Sequence, residues 1–462
     1  MKFLHLADVH LGCRRYNLEE RTKDFFRAWN DVIRNHAIAN RVDFILVAGD
    51  FFDRRNVEPQ AMNHAIAGLE QLKEAGIPVV TIEGNHDQRG ATSDFSWLRS
   101  LSQWGFIKLL EPGRDEEGHI ELVPWNEEER AGSYIDIADA RIFGSNWYGT
   151  SATAAIPVLA DALRRSISDG RFNILMLHTD VEGHTIRPMI PALPLAKLNE
   201  LKQLVHYVAL GHTHKNFSLD NWAFNPGSLE PTSIDEYREE RGAYLVEVDE
   251  HRNIKAEHIR DYIQRPFQRL SFDVSGARDA DEVFDGVLEK VKQEGRVHKS
   301  ESDEPAPIIE ITLRGHLGFK NSLLNMNRMR EEAQGLTGAL HVMIRNQSVP
   351  VEYAVAAGMD VNAPREEREM RIIEDLIARD NRYKSRAHEF ARLVVKAKQQ
   401  ALGDEEPEKI LELISQTLEG QAVGETAETA GDRKPDDDQQ SPTAAALSAI
   451  ERSAATAVMS DK

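Results

Sequence analysis

Apolar residues along this chain follow two alternating rhythms. Residues 2–7, 42–48 and 77–82 are short, mostly apolar runs of the kind that form buried strands, the last of them rich in β-branched side chains. Between them, residues 18–40 carry helical spacing through Phe25, Trp29, Val32, Ile33, His36 and Ala37. A second helix is expected over 62–75, stopped by Gly76 and Pro78. This β-α-β-α-β order predicts a layered α/β domain. Farther on the helices thin out. Short strands are expected at 106–110, 120–123 and 140–143, then a helix at 156–168. Strands at 173–177, 207–210, 222–224 and 242–248 follow, the last closing the domain near Pro266.

A second pattern then begins: strand 268–274, helix 281–293, strand 308–313, helix 317–332, strand 340–344, a small α+β module. From 365 to 401 the sequence is charged and helical. Met370, Ile373, Leu376 and Ile377 form one apolar stripe there, and Tyr383, Ala387, Phe390, Val394, Ala397 and Ala401 form another. A further helix is expected over 408–418. Such helices must bury their apolar faces, either on their own protein or in a partner's coiled coil. Residues 421–462, rich in Ala, Ser, Thr, Asp and Glu, read as disordered. The expected domains are therefore 1–265, 266–350 and a helical partner-binding region at 365–420, with a tail at 421–462.

Composition narrows the class. With 462 residues and 41% hydrophobic content, the chain can bury a sizeable core in more than one domain. Residues 2–8 are too short and polar for a secretory signal, and no apolar run approaches the roughly 20 residues that span a bilayer. The single cysteine, Cys13, excludes an intramolecular disulfide and a thiolate zinc cluster. A cytoplasmic protein without membrane association is expected. The net charge of −20, from 76 acidic and 56 basic residues, argues against nucleic-acid binding through bulk positive charge. A local basic groove, a metal site receiving phosphate or a DNA-holding partner remain as routes.

Five of the expected strands end in residues that carry chemistry. These are Asp8 and His10, then Asp50, then Asn85 and His86 within Gly84-Asn85-His86-Asp87, then His178, then His212 and His214 within Gly211-His212-Thr213-His214. Ligands of α/β sheets gather outside the carboxyl ends of strands, so these clusters can meet in one crevice. Carboxylate, imidazole and amide donors without thiolate suit Mn²⁺, Fe or Zn²⁺ in a catalytic rather than a structural site. These donors exceed the needs of one ion and suit two ions sharing a carboxylate, with Asp50 the natural bridge. Alone, each piece is a polar turn or a satisfied core histidine. All five in this order form a specific signal. Arg14, Arg15, Arg89 and Lys215 lie beside these motifs, as phosphate contacts or as solvated surface. Trp97, Trp104, Trp125, Trp147 and Trp222 are expected in the core.

The order of these motifs resembles the calcineurin-like metallophosphoesterase superfamily. Asp8-Val9-His10-Leu11-Gly12, Gly49-Asp50-Phe51-Phe52-Asp53 and Asn225-Pro226-Gly227-Ser228-Leu229-Glu230 further resemble the SbcD-type DNA double-strand-break repair exonucleases, the nuclease subunits of SbcCD complexes. The resemblance covers residues 1–350 and implies a layered α/β/β/α sandwich, a small α+β capping domain and C-terminal helices. It implies one metal on Asp8, His10, Asp50 and His214 and another on Asp50, Asn85, His178 and His212. It implies that His86 stabilises the transition state or protonates the leaving oxygen, with Asp87 orienting its ring. The metals implied are two divalent ions, Mn²⁺ foremost, with Mg²⁺, Fe or Zn²⁺ as alternatives. Two such ions about 4 Å apart can activate a water and clamp phosphoryl oxygens, and an imidazole can neutralise a departing oxygen near neutral pH. The resemblance also implies DNA as substrate, a homodimer, and an SMC-like coiled-coil ATPase engaging residues 365–418. The expected function is a two-metal DNA exo/endonuclease subunit in repair. The alternatives are a phosphodiesterase for a cyclic nucleotide or nucleotide sugar, and a non-catalytic scaffold for DNA or the ATPase.

Overall fold

Strand β1 (Lys2–Leu6) is buried from its second residue onward, as a strand enclosed by two layers must be. In the computed structural model, which describes residues 1–89, 95–185, 191–299, 301, 303–349, 364–378, 382–403 and 406–424, it is followed by α1 (Glu19–Val32). Glu19 and Glu20 sit in the first turn of α1, where acidic side chains complement the helix dipole. The helix is prolonged by a π-helical turn over Ile33–Ile38. Then come β2 (Phe44–Val47), α2 (Pro59–Glu74), β3 (Val79–Thr81), α3 (Trp97–Gln103) and β4 (Lys108–Leu109). Pro59 opens α2 at a position where its missing N–H costs nothing.

The next stretch is richer in strands: β5 (Gly113–Arg114), β6 (Ile120–Glu121), β7 (Tyr134–Ile137), β8 (Ala140–Phe143), α4 (Ala152–Ser166), β9 (Phe172–His178), α5 (Leu195–Asn199) and β10 (Tyr207–Gly211). It continues through β11 (Phe217–Leu219), β12 (Ala223–Asn225), β13 (Ala243–Val248) and β14 (Ile254–Ile259). Two six-stranded sheets result, ordered β14-β13-β1-β2-β3-β4 and β11-β12-β10-β9-β8-β7. Their facing sides share one core. Phe3 stacks on Phe44 at 5.0 Å and meets Tyr207 of the other sheet edge-on at 5.2 Å. The outer face of the first sheet is covered by Trp29, Leu69 and Leu101 from α1, α2 and α3, and that of the second by Ile156, Leu163 and Leu198 from α4 and α5. The result is the expected α/β/β/α sandwich.

The module comprises β15 (Phe267–Asp273), α6 (Ala280–Glu294), β16 (Ile308–Arg314), α7 (Met326–Thr337) and β17 (His341–Asn346). Its three strands are parallel, in the order β15-β16-β17. Val283, Val287 and Met329 of the two helices pack with Ile309, Ile311 and Val342 of the sheet. Four buried charges of residues 1–265 meet where the chain enters this module. Arg265 binds Asp24 through two bonds of 2.6 and 2.7 Å and gives its backbone N–H to Glu230 at 2.8 Å. Arg21 binds Asp24 at 2.7 Å and Glu230 at 3.0 Å.

The chain divides into two compact units, Met1–Glu352 and Tyr353–Lys462. The second contains α8 (Arg365–Ile377), α9 (Ala387–Leu402) and α10 (Pro407–Gly424). Ala387, Phe390, Ala391 and Leu393 are buried within it, whereas Leu376, Val394, Leu402, Leu411 and Leu418 are exposed. Some apolar positions of these helices are therefore buried and others are left exposed. The helical reading of 365–401 is interrupted between α8 and α9, and α10 extends into the segment expected to be disordered. The remainder of that segment, 425–462, lies outside the described residues. Among the described residues no helix is long and apolar enough to cross a membrane.

One helix had no counterpart in the sequence reading, and three other expectations need correction. Helix α3 is only seven residues long, below the window in which periodicity is visible, and is set by the Ser96 side chain accepting from Arg99 N. Strand β14 follows what was expected to be the last strand; as an edge strand it alternates polar and apolar positions, with Lys255, Glu257 and His258 obscuring its character. Helix α7 starts at Met326 rather than at 317, where Asn325 caps it. Trp97 and Trp104 are exposed rather than in the core, whereas Trp222 is buried.

Candidate metal centre

Strands β1, β2 and β3 run parallel in one sheet and β9 and β10 run parallel in the other. Their carboxyl ends therefore open on the same edge of the sandwich, and the expected residues meet there. Asp8, His10 and His214 bring donor atoms within 4.8 Å of one another; so do Asp50, His178 and His212, and so do His10, Asp50 and His86. Asp50 belongs to two of these clusters. Asn85 joins them through Oδ1, 2.9 Å from His212 Nδ1 and 3.3 Å from His178 Nε2.

The backbone is strained to make this meeting. Asp8, His10, Asp50 and His212 have φ of 52°, 49°, 51° and 88°, in the left-handed region that non-glycine residues avoid. Each such residue costs on the order of 1–3 kcal/mol, and such strain concentrates at functional sites. Gly84 is required for a different reason. A Cβ there would stand 2.1 Å from Asp50 Oδ1.

The hydrogen bonds fix how each imidazole presents itself. His178 Nδ1 donates to the Ala48 carbonyl at 2.8 Å, so its Nε2 faces Asp50 Oδ2 at 3.4 Å. His214 Nδ1 donates to Glu236 at 3.0 Å, which makes its Nε2 an acceptor, yet that atom points at His10 Nε2 only 3.0 Å away. His212 turns Nε2 toward Asp180 at 3.5 Å and Nδ1 toward Asn85 and His178. His10 Nδ1 is buried without a hydrogen-bond partner among the described residues. Acceptors thus converge on two points with few donors between them. Histidines whose outward nitrogen is tied to a carboxylate or carbonyl while the inward one stays free are oriented as metal ligands. The donor set fits two divalent cations.

Charge in the site agrees. Burial pushes Asp8 up to about 6, against the opposing pull of His214 and His178. Burial alone would lower His178, but Asp50 outweighs it and draws a proton onto this imidazole, raising it to about 9. Burial and the neighbouring His178 lower His212 to about 4.

The two residues expected to do chemistry separate. His86 Nδ1 donates to the Asp53 carbonyl at 2.5 Å, and its ring stands edge-on to His10 at 5.0 Å. Among the described residues no hydrogen bond joins Asp87 to that ring. Its carboxylate accepts from the backbone N–H groups of Phe51, Phe52 and Gly84 at 3.1, 3.0 and 3.1 Å and so pins the loops after β2 and β3 together. Burial raises Asp87 to about 7, with Asp50 adding to the rise and the three N–H groups opposing it.

A cleft of about 990 Å³ opens over His10, Asn85, His86 and His214. Arg14, Arg15, Arg54 and Arg55 line it and are exposed. This is a local basic rim on an acidic chain. Arg54 and Arg55 were readable directly after the Asp50 motif, whereas Glu236 and Asp180 carry no sequence signal of their roles. Lys215 pairs with Glu239 at 3.7 Å, and Arg89 is exposed. His184 stacks on Phe217, outside the donor clusters. His5 is buried between the sheets, bonded to Tyr207 Oη at 2.8 Å and to the Leu210 carbonyl at 3.1 Å.

Comparison with known proteins gives this geometry a class. Residues 1–216, which contain all seven donors, match the family model described as calcineurin-like phosphoesterase. Residues 1–216 are thus similar to calcineurin-like phosphoesterases, and two candidate divalent-metal clusters lie at the strand ends of this segment. The chain is related to archaeal DNA double-strand break repair proteins Mre11. That of Sulfolobus acidocaldarius is 25% identical over 335 residues, 70% of this chain and 78% of the relative. That of Aeropyrum pernix is 24% identical over 367 residues, 77% of this chain and 81% of the relative. That of Archaeoglobus fulgidus is 31% identical over 241 residues, and the match spans half of each chain (50% and 50%).

Proposed function

We propose that this protein is a two-metal phosphodiesterase that cuts DNA in double-strand-break repair. The observation that carries the reading is the convergence of two acceptor-rich clusters on Asp50, beneath a cleft rimmed by four arginines. Asp8, His10, Asp50 and His214 would hold one ion, and Asp50, Asn85, His178 and His212 the other, with Mn²⁺ foremost among the candidates. When bound, such ions supply an activated water at neutral pH and charge stabilisation for the phosphoryl oxygens. His86, its Nδ1 committed to Asp53, offers Nε2 to protonate the departing sugar oxygen. Arg14, Arg15, Arg54 and Arg55 hold flanking phosphates. DNA is favoured over a small ester because the relatives are named for DNA double-strand break repair.

On this reading residues 1–265 are the nuclease domain, 266–350 its cap and 365–420 the docking region for an SMC-like coiled-coil ATPase. The exposed Leu376, Val394, Leu402, Leu411 and Leu418 support such a partner. A cytoplasmic homodimer completes the proposal. The test is Mn²⁺-dependent cleavage of linear duplex DNA by the purified chain, beside bis-p-nitrophenyl phosphate, with His86→Ala as control. Cleavage of both, lost in the variant while metal stays bound, is expected. Cleavage of the small ester alone, with and without a coiled-coil ATPase, favours a small-substrate phosphodiesterase. Cleavage of neither, with two metals bound, leaves a scaffold.

A further inference from the structure

One short segment touches both the metal centre and the three-stranded module. Within the single turn Ile234–Glu236, neighbouring residues face different parts of the protein. Glu236 is 4% exposed and accepts from His214 Nδ1 at 3.0 Å. It is braced in turn by Thr232, whose hydroxyl donates to it at 2.6 Å and whose backbone N–H donates at 2.9 Å. Asp235, the adjacent residue, reaches β15 and binds Arg269 at 2.7 Å. Arg269 is held by Glu310 of β16 at 2.6 Å and lies 5.3 Å from the ring centroid of Tyr237. Tyr16 makes a second link. Its hydroxyl accepts from Ile234 N at 2.7 Å, and its ring stacks on His341 of β17 at 5.7 Å.

We infer that Glu236 is the positioning residue for His214, and that the 234–236 turn transmits the placement of the β15–β17 module to this imidazole. The inference rests on the metal-centre reading proposed above. A histidine whose Nδ1–H is fixed by a carboxylate has both its tautomer and its ring direction set by that carboxylate. Glu236 lies in a turn of three residues, so it cannot shift without Asp235 and Ile234 shifting too. Both of those are anchored to the module, Asp235 directly and Ile234 through Tyr16. The other neighbour of Nδ1, Thr232 Oγ1 at 3.5 Å, is itself committed to Glu236. The module therefore reaches the metal centre through this turn. Its seating on the turn sets how squarely one ligand faces its ion.

The experiment uses the full chain in four forms: wild type, Glu236→Gln, Glu236→Ala and the double variant Asp235→Ala/Tyr16→Phe. The double variant frees the turn from the module without touching a proposed ligand, and Asp235 is mostly exposed, with 67% of its side chain in solvent. Mn²⁺ binding is measured by calorimetry, the His214 tautomer by ¹⁵N-imidazole spectra of the metal-free protein, and folding by thermal melting. Wild type binds two ions. Glu236→Ala weakens one of them by about 10- to 100-fold and spares the other. Glu236→Gln recovers most of that loss, because its amide oxygen still accepts from Nδ1. The double variant weakens the same ion several-fold, lowers the Nδ1–H tautomer population of His214 and leaves the melting temperature within the range of a surface change. A double variant with wild-type affinity and tautomer would overturn the coupling. Equal weakening of both ions in Glu236→Ala, in step with a fall in melting temperature, would reduce Glu236 to a structural residue. A wild type that binds no Mn²⁺ would overturn the metal-centre reading, while the metal-free tautomer comparison would still decide the coupling.

Discussion

Removing Arg265 should destabilise the first unit more than removing Arg265 and Asp24 together. Arg21, Asp24, Glu230 and Arg265 are all at most 4% exposed, so two guanidiniums and two carboxylates balance in a water-poor junction. Arg265 supplies two of the bonds to Asp24 and a third, through its backbone, to Glu230. Replacing it by Met keeps the volume and that backbone bond but leaves one negative charge without compensation. Breaking a buried pair from one side typically costs about 3–5 kcal/mol, most of it the penalty of the stranded charge. Arg265→Met/Asp24→Leu strands nothing, because Arg21 and Glu230 still pair at 3.0 Å. The double variant should therefore recover about half or more of the single variant's loss. The assay is urea unfolding followed by circular dichroism, compared at constant slope. If the single variant costs under about 1 kcal/mol, or the double variant costs the sum of both singles, the charge-balance argument is wrong.

Two further perturbations probe the sheets and the site. Burial lowers His5 to about 3 against an ordinary value of 6.5, so it is neutral in the folded chain and charged in the unfolded chain below pH 6.5. Its contribution is thus fully present above pH 6.5 and is lost as pH falls toward 3, by about 1.4 kcal/mol per pH unit. His5→Gln should flatten that part of the acid limb of a stability-versus-pH curve; an unchanged slope would refute the assignment. Gly84→Ala should abolish binding of both ions and lower the melting temperature, because the new methyl would stand 2.1 Å from Asp50 Oδ1 and 2.5 Å from Asp50 N. Calorimetry that still finds two ions would show that Asp50 is not shared.

The donors were legible because each follows an apolar strand, and strands of one parallel set end on one edge. That inference needs only period and order, so Asp8 and His214 are brought together although 206 positions separate them in the sequence. The residues that orient the donors were not legible. Glu236 sits in a one-turn helix with no motif, and its contact with His214 depends on how the 232–241 segment folds back on Arg241. Asp87 was expected at the ring because it adjoins His86 in the sequence. In the turn the two side chains diverge, and the carboxylate goes to three backbone N–H groups. Secondary structure was lost where pattern is weakest, in seven-residue α3 and in the charged edge strand β14.

The central claim is that two cations share Asp50. It is tested most directly by electron paramagnetic resonance of the purified chain titrated with Mn²⁺. Two ions bridged by one carboxylate are spin-coupled, so the account predicts a coupled spectrum at two equivalents. In Asp50→Asn that spectrum should be lost. Saturation at one equivalent, or two equivalents giving only the six-line signal of isolated Mn²⁺, would contradict the shared-carboxylate centre.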